Sequence, residues 1–167
     1  MAATIFAAHA ADTDYLVRQA MTTGYQLGSL LTPPAYLAFI LARRGRGSFS
    51  LNRLLRATWI GGLGGTASAG GIAYARYAYS HEDSVRARRI KTAYDTDRIR
   101  RDDHATIGTL LMGVLTPAIL WRRANIVNLI LGGAGFGSSI GLLTHYARSL
   151  SGDPPPAAEV IIPVSAS

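Results

Sequence analysis

The stretch 57–75, ATWIGGLGGTASAGGIAYA, constrains this chain more than any other. It holds no charge between Arg56 and Arg76 and is about as long as a helix that crosses a bilayer, roughly 20 residues. Six of its residues are glycine: Gly61, Gly62, Gly64, Gly65, Gly70 and Gly71. In water each interior glycine costs a helix about 0.5–1 kcal/mol relative to alanine. In lipid the backbone has no water to bond to, so helix is nearly forced. Small residues then become useful, because they let two helix backbones approach closely. Gly61, Gly65 and Ala69 recur every four residues and share one face. The stretch reads as a helix made to be packed against.

Three further uncharged windows have the same character. The first covers residues 19–42, with Gly24 and Gly28 four apart and Pro33-Pro34 disturbing its second half, so a kink is expected near Thr32. The third covers 104–121 and ends on Trp121-Arg122-Arg123, an aromatic–basic boundary suited to a membrane interface. The fourth covers 124–147, where Gly133, Gly137 and Gly141 make a second four-residue stripe. Charged residues are only 16% of the chain, against about 25% in soluble domains. The expected fold is an all-α membrane protein with four transmembrane helices. They form two Gly-rich hairpins joined by a charged helical segment, 76–103, behind a polar N-terminal segment, 1–18. A Pro-rich tail, 149–167, follows and is expected to be extended polyproline around Asp153–Pro156.

Net charge is +7, nearly all from arginine, with Lys91 the one lysine. The arginines lie beside the apolar windows. Arg43, Arg44, Arg46, Arg53 and Arg56 fill the first short connection, and Arg122 and Arg123 the second. That placement suits lipid headgroups or acidic partner loops, not nucleic acid. Lys and Arg counts on the two sides are too close to set an orientation. The segment 76–103 holds eight basic and six acidic residues with a thin apolar stripe of Val85, Ile90 and Tyr94. It reads as an extramembrane helical hairpin or as extensions of its neighbours, and either as a solvated face or as a partner-docking surface. The N-terminus has no basic residue before Arg18, while Asp12 and Asp14 precede it, so any organelle address is expected to be internal.

The second window, shifted by 71 residues, meets the fourth. Gly61-Gly62-Leu63-Gly64 lies over Gly132-Gly133-Ala134-Gly135. A weaker echo joins Leu30-Leu31-Thr32-Pro33 to Val114-Leu115-Thr116-Pro117. Same-sense duplication of a hairpin and shared composition both produce such a match.

Little in the chain invites chemistry. With no cysteine, disulfides, thiolate metal sites and cysteine nucleophiles are excluded. Gly62-x-Gly64-x-x-Ala67 with Glu82 beyond it matches a dinucleotide fingerprint, but that needs a preceding strand. His9, His81, His104 and His145 are far apart, and the last two are expected at membrane interfaces. Ser138-Ser139 has no basic partner nearby and reads as packing surface. No acid or base lies inside a window apart from histidines at the ends. That argues against a proton-coupled transporter and for a packing protein. The packing residues are expected to be Gly24, Gly28, Gly61, Gly65, Ala69, Gly133, Gly137 and Gly141.

A longer pattern resembles a known family. It comprises His81-Glu-Asp-Ser-Val-Arg-Ala-Arg-Arg-Ile90, then Tyr94-Asp-x-Asp-Arg-Ile-Arg-Arg-Asp-Asp-His-Ala-Thr-Ile-Gly108. Leu115-Thr-Pro-Ala-Ile119 with Trp121-Arg-Arg123 and Asn125-x-x-Asn128-Leu-Ile-Leu-Gly-Gly133 complete it. Together these resemble the fungal NUXM-type accessory subunits of mitochondrial respiratory complex I, over roughly residues 15–148. The resemblance implies a multi-pass protein of the mitochondrial inner membrane. Its partners would be lipids and the hydrophobic membrane-arm subunits of NADH:ubiquinone oxidoreductase. It implies no catalytic, cofactor-binding or metal-binding residues, and leaves a bound phospholipid open. In outline the chain is also similar to the Tim-type four-helix components of mitochondrial protein import. A small transporter or channel built from the two hairpins is the third reading.

Overall fold

The computed structural model describes residues 2–43 and 49–153, with side chains from residue 7 onward. Five helices follow one another: α1 (Ala2–Arg43), α2 (Leu51–Tyr77), α3 (Glu82–Ala93), α4 (Thr96–Leu120) and α5 (Ile126–Leu150). The fold is all-helical, and no strand occurs among the described residues. The dinucleotide fingerprint therefore lies inside α2, without the strand that its chemistry requires.

Several boundaries differ from the sequence reading. The first helix does not wait for the apolar window. It starts at Ala2, so the segment 1–18 is helical from its second residue on, and it continues through Pro33 and Pro34 to Arg43. At roughly 63 Å it is about twice as long as a hydrocarbon core is thick. The charged segment extends its neighbours and adds one separate helix, not a hairpin of its own. Helix α2 runs on to Tyr77, α4 starts early at Thr96, and α3 stands between them as a helix of its own. Glu82 and Asp83 in its first turn and Lys91 in its last complement the helix dipole. The Asp95 side chain caps α4 by accepting from the Arg98 backbone N–H at 3.1 Å, and Asn125 caps α5 in the same way from Val127 at 3.0 Å. The polyproline tail, 154–167, lies outside the described residues.

The four expected spans reduce to two on length and apolarity. Among the described residues, only α4 and α5 are long and apolar enough to cross a membrane by that measure. The windows in α1 and α2 are uncharged but rich in Gly, Thr, Ser, Gln and Tyr. Such side chains add little hydrophobicity, so the feature that makes α2 a packing helix also weakens it as an apolar one.

Helices α1 and α2 form one antiparallel hairpin, and α4 and α5 another. The hairpins meet mainly through α2 and α5, which run parallel, with α1 also against α5. Helix α5 is thus the hub: 50% of its most apolar window is buried, against 11% for α4 on the outside. Helix α3 lies across α1. Val85 is its buried anchor, and Arg89 pairs with the buried Asp12 at 2.6 Å while lying over the Tyr15 ring. Of the apolar stripe expected there, Ile90 is half-buried and Tyr94 is exposed.

Candidate functional site

The chain's most developed feature is a pair of glycine crossings. In the first hairpin Gly24 of α1 lies against the Gly65 carbonyl of α2, and Gly28 lies against the Gly61 carbonyl. A methyl group on Gly24 would also come within 2.6 Å of the Ala69 methyl, far inside van der Waals contact. In the second hairpin Gly108 of α4 and Gly137 of α5 lie against each other's carbonyls, and Gly141 lies against His104. A methyl group on Gly133 would come 2.6 Å from both the Met112 carbonyl and the Thr116 hydroxyl. Gly24, Gly28, Gly65, Gly133, Gly137 and Gly141 thus each face a backbone atom of the opposite helix, whereas Gly61 faces the Thr32 side chain and Ala69 meets Gly24 through its methyl. A larger side chain at those six glycines would have to move the opposite backbone.

The two crossings are equivalent residue by residue. Moving 84 positions on from α1 and 72 positions on from α2 takes Gly24·Gly65 to Gly108·Gly137, and Thr32·Gly61 to Thr116·Gly133. The same offsets take Ser29·Gly62 to Gly113·Ala134. The Thr-Pro echo has the right offset. The Gly-rich alignment at 71 is corrected to 72. One residue rotates the comparison by about 100° around the helix. At 71, Gly61 would fall on Gly132, which packs on Leu55 of α2 instead of crossing α4.

Polar contacts tie both ends of this bundle. At the short-connection end the Asn52 carbonyl oxygen accepts from the Asn128 amide at 2.8 Å and from the Asn125 backbone at 3.1 Å. The Asn128 oxygen in turn accepts from the Trp59 indole at 3.1 Å. These bonds join α2 to the start of α5. At the charged end the Arg98 guanidinium donates to the Gln19 carbonyl and the Thr23 hydroxyl, and the Gln26 amide donates to Asp102 at 2.9 Å. These join α1 to α4. Between the two ends the centre is small and hydroxylated: Ser29, Thr58, Ser138 and Ser139 are buried, with Gly135 packed on Thr58 and near Ser29. The Thr58 and Ser139 hydroxyls donate to carbonyls one turn back in their own helices. Such bonds back to the preceding turn are the usual way for a hydroxyl inside a helix to find an acceptor.

The arginines of the sequence reading are not gathered into one site. Arg43 ends α1 with its guanidinium 6.0 Å from the Phe39 ring. Arg53, Arg56, Arg122 and Arg123 are exposed at the same end of the bundle, beside an exposed Trp121. Arg44 and Arg46 lie outside the described residues.

The histidines divide. His145 is buried between the helices, with its Nε2 3.2 Å from Asp97, and the His104 ring stands 5.9 Å away. No group of three His, Asp or Glu able to hold a metal occurs among the described residues. Asp153, just past α5, takes hydrogen bonds from both Arg100 and Arg148. The Arg100 hydrogen bond and charge, with Arg148 behind them, hold its carboxyl below the usual carboxylate range.

Sequence reasoning missed three groups. Gly108 had a signal: the offset of the Thr-Pro echo, continued toward the N-terminus, carries Gly24 onto it. Gly132 and Gly135, which seat α2 and α1 on α5, share the Gly-rich run with the crossing residues and are not separable from it by periodicity. The Asn52–Asn128–Trp59 chain joins residues some 70 positions apart and has no local signature.

The chain matches no protein-family model, and comparison with characterised proteins and with solved structures finds no match.

Proposed function

We propose that this chain is a four-span, non-catalytic accessory subunit in the membrane arm of mitochondrial NADH:ubiquinone oxidoreductase, acting in the inner membrane by helix contact. One observation carries the contact role: the long helices are inverted relative to a soluble bundle. Their contact faces are rich in glycine and serine, with Leu54, Leu55, Leu129 and Leu142 buried beside them, and their outward faces carry exposed Leu31, Phe39, Leu63, Ile72, Leu110, Val114, Ile119 and Leu143. A soluble monomer does not leave so much apolar surface in water. In lipid that surface needs no cover, and close backbone packing supplies the cohesion that burial cannot. The four-span reading extends this to α1 and α2. Their windows carry no charge, and their crossing is equivalent to that of the two apolar helices. The choice of complex rests on the resemblance carried by residues 81–133.

The test is a native gel of gently solubilised mitochondrial membranes, probed for this chain and stained for NADH dehydrogenase activity. Co-migration with the active band, retained through a second purification, is the expected result. A small separate species, or co-migration with import components, would discard the accessory-subunit reading. Solute flux through liposomes holding the purified chain alone would replace it with a transport function.

A further inference from the structure

A cleft of about 560 Å³ opens between residues 16–20 of α1, the end of α2, α3 and the start of α4. Its size suits a small ligand. Its walls are amphipathic. Leu16, Ala20 and Ala87 supply an apolar side, and Arg88, Lys91 and Arg98 a cationic one. The lining acid is Asp95, whose carboxylate is engaged in capping α4. Three cations against one carboxylate leave the cleft positive by two charges.

Those cations lack acidic partners. Among the described residues none of the three forms an ion pair. Arg88 lies over the Tyr77 ring, 5.9 Å from its centroid, and both residues line the cleft. Arg98 spends one terminal nitrogen on α1, while its buried Nε–H has no acceptor. Nearby Arg89, Arg100, Arg101 and Arg148 each pair with a carboxylate, while Arg76 and Arg86 of the same segment, exposed and outside the cleft lining, also form no ion pair among the described residues. A segment well supplied with acids leaves these three cations unneutralised, and it does so around a hollow.

The geometry points to a binding site for a phosphate-ester anion in this cleft, with Arg88 and Lys91 as its accessible cations and Arg98 as its fixed floor. The apolar wall favours a phosphate carrying a glycerol or acyl stem, as in the headgroup of an anionic phospholipid. Depth agrees with that source. Arg98 lies six residues before His104, where the apolar window of α4 begins. The helical rise places it about 9 Å outside the hydrocarbon edge, at the outer margin of the headgroup layer. This depth argument rests on the membrane reading proposed above; the charge argument does not.

The experiment is a binding titration on the purified full chain in neutral detergent, read by native mass spectrometry. The probes are dioctanoyl phosphatidylglycerol, dioctanoyl phosphatidylcholine and inorganic phosphate. Phosphatidylglycerol is expected to bind, and phosphatidylcholine to bind much more weakly. The double variant R88Q/K91Q should bind phosphatidylglycerol roughly thirtyfold more weakly, about what two interfacial cations contribute. Both residues are exposed, so the fold should be retained, as circular dichroism would check. The variant R86Q, which removes an exposed arginine of the same helix that does not line the cleft, should bind as the wild type does. Equal binding by R88Q/K91Q and wild type, or no preference for the anionic lipid, overturns the site. Inorganic phosphate that binds as tightly as phosphatidylglycerol, and is lost in R88Q/K91Q, keeps the anion site and removes the lipid as its occupant. Because no complex is present in this assay, failure of the complex I assignment leaves its outcome unchanged.

Discussion

The two hairpins share one crossing and play different parts. In each, a glycine on the first helix meets a glycine on the second, and a threonine one residue before a proline meets another glycine of the second helix about one turn away. Yet α5 is packed on two sides and α2 much less so. The positions of α5 that bear Gly132 and Gly135 correspond in α2 to Ile60 and Leu63, which are exposed. A second glycine face is therefore what turns a hairpin helix into the hub of a bundle. The lesson is that one stripe of small residues makes a pair, and two stripes make a core.

The largest expected effect is at the crossings themselves. Gly137→Leu drives a side chain into the Gly108 carbonyl and Met112, and Gly24→Leu does the same to Gly65 and Ala69. Each should destabilise the chain by about 3 kcal/mol, the upper end for overpacking, seen as a lower thermal midpoint in mild detergent. Loss confined to Gly137→Leu would show that only the second hairpin depends on its crossing. A normal midpoint for both would remove the crossings from the account.

Neighbouring glycines in α2 give a finer contrast. Gly65→Ala meets the Gly24 backbone and should cost about 1–3 kcal/mol. At Gly64 a methyl group meets nothing within 4 Å, so Gly64→Ala should be neutral or stabilising by up to about 1 kcal/mol. The same pair of midpoints reads this out, and equal effects would mean that the face is misassigned.

Joining the hairpins is a separate matter. Asn128→Ala removes the acceptor of the Trp59 indole and the donor to Asn52, and should cost about 1–2 kcal/mol. Tryptophan fluorescence should shift with it, while the crossings within each hairpin persist. An unchanged spectrum and midpoint would show that small-residue contacts alone join α2 to α5.

The smallest effect separates two equivalent threonines. The Thr32 hydroxyl donates to the Gly28 carbonyl at 2.6 Å, whereas the Thr116 hydroxyl is buried with no partner. Thr32→Val should cost about 1 kcal/mol, and Thr116→Val should cost nothing. The reverse order would mean that the two hydroxyls have exchanged roles.

Much of this architecture is legible in the residues. Windows without charge, glycines every four residues and arginines at the ends announce helices that pack closely, because those patterns act within a single helix. The Thr-Pro echo even holds the offset that relates the first helices of the two hairpins. The extent of α1 had a local signal that charge patterning passes over, since six of residues 2–11 are alanine, the strongest helix former. Asp12, paired with Arg89, then joins this first part of α1 to α3.

What the sequence by itself determined is the kind of contact: small residues, at a helical period, in segments that shed their charge. What only the tertiary structure decided is who meets whom. Gly132 and Gly133 are adjacent and chemically identical, yet one packs on α2 and the other on α4. A rotation of about 100° per residue separates their directions, and no local preference chooses between partners that lie elsewhere in the chain. The positive cleft has the same origin. Arg88, Lys91 and Arg98 resemble their neighbours in sequence, and only the folded arrangement gives several of those neighbours a carboxylate and leaves these three around a hollow.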